Sequence, residues 1–185
     1  MTGLVILAIL IAVVGWAIFS YNDLVSKRQL KEEGWSGIDV QLKRRTDLIP
    51  NLLETVKGYM THERETLEAV TQARANATAG ANAGPAERSA LEGALSGALG
   101  KLIAVAEAYP DLKASTNFQE FQTALASVED EIQLSRRYYN GAVRNLNTAV
   151  ESFPSNVIAN FFKFVKGEYF ELENDAERAV PTVKF

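Results

Sequence analysis

The longest apolar run of the chain, residues 4–19, lies close to its start. It reads Leu-Val-Ile-Leu-Ala-Ile-Leu-Ile-Ala-Val-Val-Gly-Trp-Ala-Ile-Phe and carries no charged side chain. Extended to Thr2 and Tyr21 as a helix with a rise of ~1.5 Å per residue, the run covers about 30 Å, which matches the hydrocarbon core of a bilayer. A helix also satisfies its own backbone hydrogen bonds, as lipid requires. We therefore expect residues 1–21 to form a transmembrane anchor.

A cleaved signal peptide is the main alternative for this run. Such a peptide has a basic start and a small-x-small cleavage site, whereas residues 1–3 are not basic and residues 16–20 offer no such site. Lys27, Arg28 and Lys31 follow the run, so the positive-inside rule predicts that the larger part of the chain lies in the cytoplasm. The opposite side of the membrane stays open as the alternative.

Beyond the anchor, apolar residues recur at helical spacing almost to the end of the chain. Residues 22–41 are amphipathic and are expected to continue the anchor helix. Pro50 lacks a backbone donor and disfavours the helical conformation of the residue before it. The helix therefore either kinks at Pro50 or ends, with a new helix capped by Asp47. A kink is the favoured interpretation.

Two later helices are predicted from alternating spacings of three and four between apolar residues. Gly84-Pro85 has the residue types of a helix start, and Pro110 is expected to end that helix. A capping box of Thr116 and Gln119 predicts the start of the longest helix, which Pro154 should end. The predicted buried faces are Leu91, Leu95, Ala98, Leu102, Val105 and Tyr109 in the first helix and Phe118, Phe121, Leu125, Val128, Ile132, Ser135, Tyr139, Ala142, Leu146, Ala149 and Phe153 in the second.

The fold class that these patterns predict is all-α. We expect an N-terminal transmembrane helix followed by an antiparallel bundle of three to four long helices over residues 22–166. A short apolar helix and a tail, residues 167–185, complete the chain. The tail is too apolar for a plain disordered segment, and we expect it to dock on a neighbour.

A short segment before the tail, residues 157–165, is apolar on nearly all sides. Burial as a single helix is the first interpretation, and contact with another subunit or with lipid is the alternative. We expect the chain to form a homo-oligomer. The candidate self-association residues are Val157, Ile158, Phe161, Phe162, Phe164, Phe170 and Phe185.

Composition excludes several classes of function. The 185 residues carry a net charge of −4, which provides no basic field for nucleic acid. There is no Cys, so disulfides and thiol chemistry are excluded, and one His rules out a multi-histidine metal site within one chain. His62-Glu63 begins like a zinc-protease motif but lacks its second His. No metal, cofactor or catalytic residue is therefore assigned.

Several short motifs follow one another along the chain. In order they are Trp35-x-x-Ile38-Asp39-x-Gln41-x-x-Arg44-Arg45-x-Asp47-Leu48-Ile49-Pro50-Asn51-Leu52, Thr55-Val56-Lys57-Gly58-Tyr59, His62-Glu63, Glu107-Ala-Tyr-Pro-x-Leu-Lys-Ala-Ser-x-Asn117-Phe118, Glu129, Arg136-x-x-Tyr139-Asn140, Asn147, Phe153-Pro154-Ser-Asn156 and Tyr169-Phe170. In these motifs the chain resembles the LemA family over nearly its full length. Leu146 and Phe121 depart from the family pattern, where an aromatic residue and a leucine are expected.

The resemblance implies a bacterial protein with an apolar N-terminal segment, a helical bundle and no established catalytic activity. The predicted location is therefore the bacterial inner membrane, with a single pass. Some LemA-like proteins are associated with magnetosome membranes, which implies a role in membrane organisation. Others look like exported lipoproteins, which keeps the extracytoplasmic alternative open.

Charged residues also fall on predicted buried faces. Arg45 lies one turn from Leu42 and one from Ile49, and an arginine cannot lose its charge, so it must be paired. An interhelical ion-pair network that fixes helix register is the favoured interpretation; a partner or ligand site is the alternative. The candidate cluster is Arg44, Arg45, Asp47, Glu63, Glu107, Glu129 and Arg136.

The function that the sequence favours is a single-pass, membrane-anchored scaffold or interaction protein that self-assembles at the membrane. Its expected partners are the lipid bilayer, further copies of the chain and an unidentified membrane protein, and not nucleic acid. One alternative is a membrane-linked sensor or signalling adaptor that acts through a partner protein. The least favoured alternative is an enzyme that uses the Arg/Glu cluster.

Overall fold

The structure is a computed structural model and describes residues 1–60 and 62–171. Over these residues it contains helices and no strand, so the predicted all-α fold is confirmed. The helices are α1 (Thr2–Lys57), α2 (Arg64–Ala79), α3 (Pro85–Ala106), α4 (Pro110–Ala114), α5 (Thr116–Glu151) and α6 (Ser155–Phe161), with a 3₁₀ turn at Gly80–Asn82 between α2 and α3. Phe185, one of the candidate self-association residues, lies outside the described part.

Helix α1 is continuous through Pro50, so the predicted alternative of a new helix at this point is wrong. Proline has no N–H, which leaves the carbonyl of the residue four positions earlier, Thr46, without its helical donor. Nε of Arg74 on α2 donates to this carbonyl at 3.1 Å. A side chain from a neighbouring helix therefore satisfies the group that Pro50 orphans, and the helix tolerates the proline.

The described chain divides into two compact units. Unit 1 comprises residues 1–37 and 135–169, and unit 2 comprises residues 38–134 with residues 170–171. Because α1 and α5 are long, each contributes residues to both units. The core of unit 2 is formed by the buried faces of α1, α2, α3 and the start of α5, among them Ile49, Leu52, Val56, Val70, Leu95, Leu102 and Phe118.

The buried face of α3 differs from the predicted one. Leu95 and Leu102 are buried as expected, but the face passes through Leu99 and Ala106 rather than Ala98 and Val105, and it begins with polar residues. The start at Pro85 after Gly84 is confirmed. The predicted end at Pro110 is wrong, because α3 ends at Ala106 and Pro110 opens α4, where its fixed φ suits a first helical turn.

Helix α5 follows its predicted buried face closely, and the exceptions lie at its ends. Thr116 is already the first helical residue, and the Gln119 side chain donates to the Lys113 carbonyl at 3.0 Å, so the predicted capping box is wrong. Phe153 lies beyond the helix and is 82% exposed, contrary to its predicted burial. The segment after it is not a fully buried helix either, because Val157 and Phe161 on α6 are exposed.

In unit 1, α1 and α5 run antiparallel. A Cβ added to Gly34 would lie 3.0 Å from the Cα of Tyr139. Leu24, ten residues before Gly34, and Ala149, ten residues after Tyr139, belong to the same apolar cluster. This cluster also contains Ile158 and Ala159, the inward face of α6. The end of α6 is therefore packed on the part of α1 that follows the apolar run.

The chain after α6 is fixed to α5 by specific hydrogen bonds. The Asn147 side chain donates to the Gly167 carbonyl at 3.0 Å and accepts from the Gly167 N–H at 2.8 Å. A Cβ at Gly167 would meet Lys31 Cδ at 3.0 Å, so glycine permits this close approach. The Tyr139 hydroxyl donates to the Glu168 carbonyl at 2.8 Å. Burial and then the Glu168 charge raise the pKa of Tyr139 to about 12.

Candidate functional site

Arg45 is the largest fully buried side chain, with 1% of its surface exposed. Apolar residues lie one turn to either side of it on the buried face of α1. Its Nη2 donates to Oε2 of Glu92 at 2.6 Å and to the Glu92 carbonyl at 3.2 Å. Its Nη1 donates to Oε1 of Glu129 at 2.7 Å and to Oγ of Ser96 at 2.6 Å. One guanidinium thus joins α1 to α3 and α5.

Glu92 is fully buried on α3 and links two arginines. Its second carboxylate oxygen, Oε1, accepts from Nε of Arg88 at 3.0 Å. Arg88 also donates from Nη1 to the Gly80 carbonyl and from Nη2 to Oδ1 of Asp39, both at 3.2 Å. The resulting chain of alternating charges, the ion-pair network, consists of Asp39, Arg88, Glu92, Arg45 and Glu129.

The burial of these charges differs between the centre and the ends of the network. Arg45, Arg88 and Glu92 are buried, whereas the side chains of Glu129 and Asp39 are 35% and 52% exposed. Removing one partner of a buried pair is costly, because the remaining charge is left without compensation in a low dielectric. Both carboxylate oxygens of Glu92 already accept a guanidinium N–H. The arrangement therefore suits the holding of helices in register better than acid–base chemistry.

The structure places the seven residues of the predicted cluster in different surroundings. It joins Arg45 and Glu129 directly. Arg44, Asp47 and Glu107 are exposed, and Asp47 pairs with the lysine one turn before it at 2.6 Å. These three side chains lie on the surface of the bundle and not in the network.

The remaining two residues of the predicted cluster are half-buried. Glu63 lies just before α2, and its Oε1 accepts from the Tyr109 hydroxyl at 3.2 Å. Burial, followed by the hydrogen bond and charge of Glu63, raises the pKa of Tyr109 above its usual value. This contact ties the start of α2 to the residues after α3. Arg136 lies on α5 within unit 1, whereas the ion-pair network belongs to unit 2.

Sequence reasoning missed the centre of the network, Arg88 and Glu92. The spacing of residues 88, 92, 95, 99, 102 and 106 alternates strictly between four and three, as does the predicted face that starts at Leu91. The two faces have the same spacing, and the prediction preferred the entirely apolar one, which excludes the charged residues Arg88 and Glu92. The available signal was Arg45 itself, because a charge on the buried face of α1 requires a carboxylate on a facing helix.

A groove of unit 2 lies between α1 and α5 and has a volume of about 610 Å³. It is open and of mixed polarity, with lining residues that include Asn51, Glu54, Asn117, Glu120 and Phe121. Within residues 1–60 and 62–171, no group of three or more His, Asp or Glu side chains is arranged to hold a metal ion.

Within the described residues, 1–60 and 62–171, two helices are long and apolar enough to cross a membrane by length and composition. The most apolar window of α1 has a mean hydropathy of 2.7 and is 0% buried in the protein. The corresponding window of α3 has a mean hydropathy of 1.3 and is one-third buried, and one face of α3 packs in the core of unit 2. The start of α1 is therefore the candidate membrane span.

These features define an all-α bundle domain carried on a long helix whose N-terminal part is apolar and uncovered. The chain belongs to the LemA family, because the model of that family matches residues 34–185. The predicted family is thereby confirmed. Family membership and the apolar helix together indicate a membrane-associated protein.

Relatives with assigned names fall into two groups. The chain is 28% identical to "Protein LemA" of Metamycoplasma hominis over 138 residues, which cover 75% of this chain and 63% of that protein. It is 33% identical to "Magnetosome protein MamQ 2" of Paramagnetospirillum magneticum over 72 residues, 39% of this chain and 26% of that protein. It is 23% identical to "Magnetosome protein MamQ" of Magnetospirillum gryphiswaldense, over 87% of this chain and 68% of that protein. The chain thus spans less than two thirds of the first two of these relatives.

Proposed function

We propose that the protein is a single-pass, membrane-anchored scaffold whose helical bundle presents fixed surfaces to further copies of the chain and to a membrane protein partner. The observation that carries this proposal is the continuity of α1. One helix begins in the apolar run at Thr2, passes through Pro50 and ends at Lys57. Arg45 on the same helix is bonded to α3 and α5. The helix that crosses the bilayer is thus also a core helix of the bundle.

The chemistry of the interior supports a structural role for the buried charges. Both carboxylate oxygens of Glu92 accept hydrogen bonds from arginines. A network of this kind fixes helix register, which a scaffold needs if its surfaces are to keep one shape. The two accessible ends of the network, Asp39 and Glu129, are each paired with a buried arginine.

The proposed location is the bacterial inner membrane, with the bundle in the cytoplasm. Lys27, Arg28 and Lys31 follow the apolar run, and basic residues next to a span are retained on the cytoplasmic side. The chain contains no cysteine, so a single Cys at exposed Thr148 can report the side directly. We expect a membrane-impermeant maleimide to label this variant only after the cells are opened. Labelling of intact cells would place the bundle outside.

The anchor is tested by placing a charge inside or outside the apolar run of α1. Leu10→Arg puts a cation at the middle of the run, whereas Leu30→Arg makes the same change at an exposed leucine of the same helix beyond it. We expect only Leu10→Arg to lower the amount of protein in carbonate-washed membranes. Equal retention of both variants would contradict a transmembrane α1.

Self-assembly is tested by the mass of the full-length protein in mild detergent over a wide range of concentration. We expect an oligomer that persists on dilution. Of the candidate self-association residues, Ile158 and Phe170 are buried within the chain, whereas Val157, Phe161 and Phe162 are exposed. The mostly exposed Ala-rich region, residues 72–84, and the lipid-facing side of α1 are further candidate surfaces for contact between copies. A monomeric mass throughout would overturn self-assembly.

A sensor or signalling adaptor is the second candidate, and the same continuity of α1 favours it. A helix that runs from the membrane into the bundle can transmit a change of tilt in the bilayer. Hydrogen exchange of the unit 2 amides, compared between thin and thick bilayers, tests this function. Transmission predicts altered protection around Arg45, and identical protection in both bilayers would exclude it.

A further inference from the structure

An apolar surface is exposed at the turn between α5 and α6 and along α6. Phe153 and Phe161 are 82% and 78% exposed, and Val157 lies between them at four-residue spacing. The opposite side of α6, formed by Ile158 and Ala159, packs inside unit 1. The exposed residues form the α6 patch: Phe153, Val157, Phe161, Phe162 and Val165. Contiguous surfaces of this kind mark a site of contact with a protein or a membrane.

The position of the α6 patch along α1 points to its occupant. In unit 1, Gly34 faces Tyr139, and the antiparallel helices bring Leu24, ten residues earlier on α1, and Ala149, ten residues later on α5, into one cluster. Continuing at this register, Phe153 reaches the level of Ser20. That level is the end of the apolar run of α1. The patch therefore begins where the proposed transmembrane segment leaves the hydrocarbon.

Contacts between aromatic rings place the segment after α6 beside the part of α1 where the apolar run ends. The Phe162 ring lies 4.6 Å from that of Tyr21, between centroids. The Phe164 ring lies 5.8 Å from that of Tyr21. The Arg28 guanidinium carbon lies 5.4 Å from the centroid of the Phe164 ring. From Phe162 to Phe164, the ring contacts with α1 therefore extend from the end of the apolar run to the basic residues that follow it. Tyr21 lies at the level where aromatic residues occur at membrane interfaces.

The charges around the patch have the distribution of an interfacial segment. Lys163 and Lys166 lie within and beside it, Lys163 exposed and Lys166 paired with Glu151 at 2.7 Å. Arg28 and Lys31 lie on α1 beyond the apolar run, where Arg28 contacts the Phe164 ring and the Lys31 side chain approaches Gly167. Apolar side chains towards the hydrocarbon and basic side chains towards the headgroups are typical of segments that lie in the surface of an anionic bilayer.

We propose that the α6 patch inserts into the headgroup and acyl boundary of the leaflet in which the apolar run of α1 ends. This inference rests on the proposed transmembrane role of α1. The ligand is the bilayer itself, contacted to a depth of about 5–10 Å by the aromatic and aliphatic side chains of α6. Unit 1 is then attached at two places, by a helix that crosses the membrane and by a short helix that lies along it.

The test uses the full-length protein in nanodiscs of phosphatidylethanolamine and phosphatidylglycerol. Because the chain has no cysteine, single-Cys variants carry one spin label each without further changes. Val157→Cys and Phe161→Cys report the α6 patch. Thr148→Cys is the water control on the exposed side of α5, and Leu10→Cys is the control for the anchor. Collisions with oxygen report exposure to lipid, and collisions with a nickel chelate report exposure to water.

We expect the labels at positions 157 and 161 to collide with oxygen and to lose their collisions with the nickel chelate, as the label at position 10 does. The label at position 148 should show the reverse. If only the label at position 10 is in lipid while those on α6 are in water, the anchor stands and the insertion of α6 is overturned. If the label at position 10 is also in water, the transmembrane role itself fails.

A protein partner at the α6 patch gives a different result. Labels covered by a second copy of the chain would be shielded from both oxygen and the nickel chelate, and their spectra would broaden with the number of labelled copies per disc. That outcome would overturn insertion in favour of self-association.

Discussion

The two units are held together by different contacts: unit 2 contains buried ion pairs, whereas unit 1 contains packed aromatic rings and hydrogen bonds to the main chain. In unit 2, Arg45 and Glu92 connect helices through the interior, and each is fully enclosed. In unit 1, Trp35 packs on Tyr139 with centroids 5.4 Å apart, and Asn147 holds the main chain at Gly167. Charged contacts depend on every partner being present, whereas apolar contacts lose stability in proportion to the area removed. The two units should therefore respond differently to single substitutions.

The largest effect is expected for Glu92→Gln. The change leaves Arg45 and Arg88 buried with an amide in place of their shared carboxylate, and breaking a buried pair costs about 3–5 kcal/mol. Thermal unfolding of the full-length protein in detergent measures the loss. Glu68→Gln is the matched control, because its pair with Arg64 is exposed and worth about 0–1 kcal/mol. Equal losses in both variants would show that the network contributes little.

A smaller effect is expected where a side chain replaces a missing backbone donor. Arg74→Ala removes the donor to the Thr46 carbonyl, and an unsatisfied buried carbonyl costs about 1–3 kcal/mol. In a Pro50→Ala background the N–H of residue 50 can bond to the same carbonyl, so the cost of Arg74→Ala should fall. A double-mutant cycle measures this coupling. Arg64→Ala, an exposed arginine of the same helix, is the control and should show no coupling to Pro50.

Tyr139→Phe should act mainly through pH. The Tyr139 pKa of about 12 lies above the unfolded value of 10, so the neutral hydroxyl stabilises the fold fully below pH 10 and this contribution is lost as the pH rises through 12. Phenylalanine keeps the ring but loses the hydrogen bond to the Glu168 carbonyl, at a cost of about 1 kcal/mol near neutral pH. Stability curves of both proteins from pH 8 to pH 12 should therefore converge at the alkaline end.

Tyr138→Phe is the control for this comparison. Its side chain is half exposed, and the substitution removes a neighbouring hydroxyl without affecting the hydrogen bond to the Glu168 carbonyl. Tyr109, whose pKa is also raised, keeps some alkaline sensitivity in every variant. Parallel curves for wild type and Tyr139→Phe up to pH 12 would contradict the role of the Tyr139 hydroxyl.

The sequence was sufficient for the class of fold and for most of the α5 face, because a 3.6-residue period over 36 residues leaves little freedom. It was insufficient where two patterns had the same period. On α3, faces starting at Arg88 and at Leu91 are equally regular, and the apolar one was preferred. The buried charges decide between them through Arg45, which lies on α1, about 50 residues earlier in the chain. Such long-range pairing is not visible in a local pattern.

The smallest effects are expected for alanine substitutions at two glycines in the interior of α1, Gly34 and Gly37, which differ only in their surroundings. Gly37→Ala should stabilise the protein by about 0.5–1 kcal/mol, because nothing lies within 4 Å of the added Cβ and alanine is the better helix former. At Gly34 the same Cβ would meet the Cα of Tyr139 at 3.0 Å, so Gly34→Ala should give no gain or a loss. Unfolding midpoints in the same detergent measure both variants. A gain at both positions would mean that α1 and α5 are not packed this closely in unit 1.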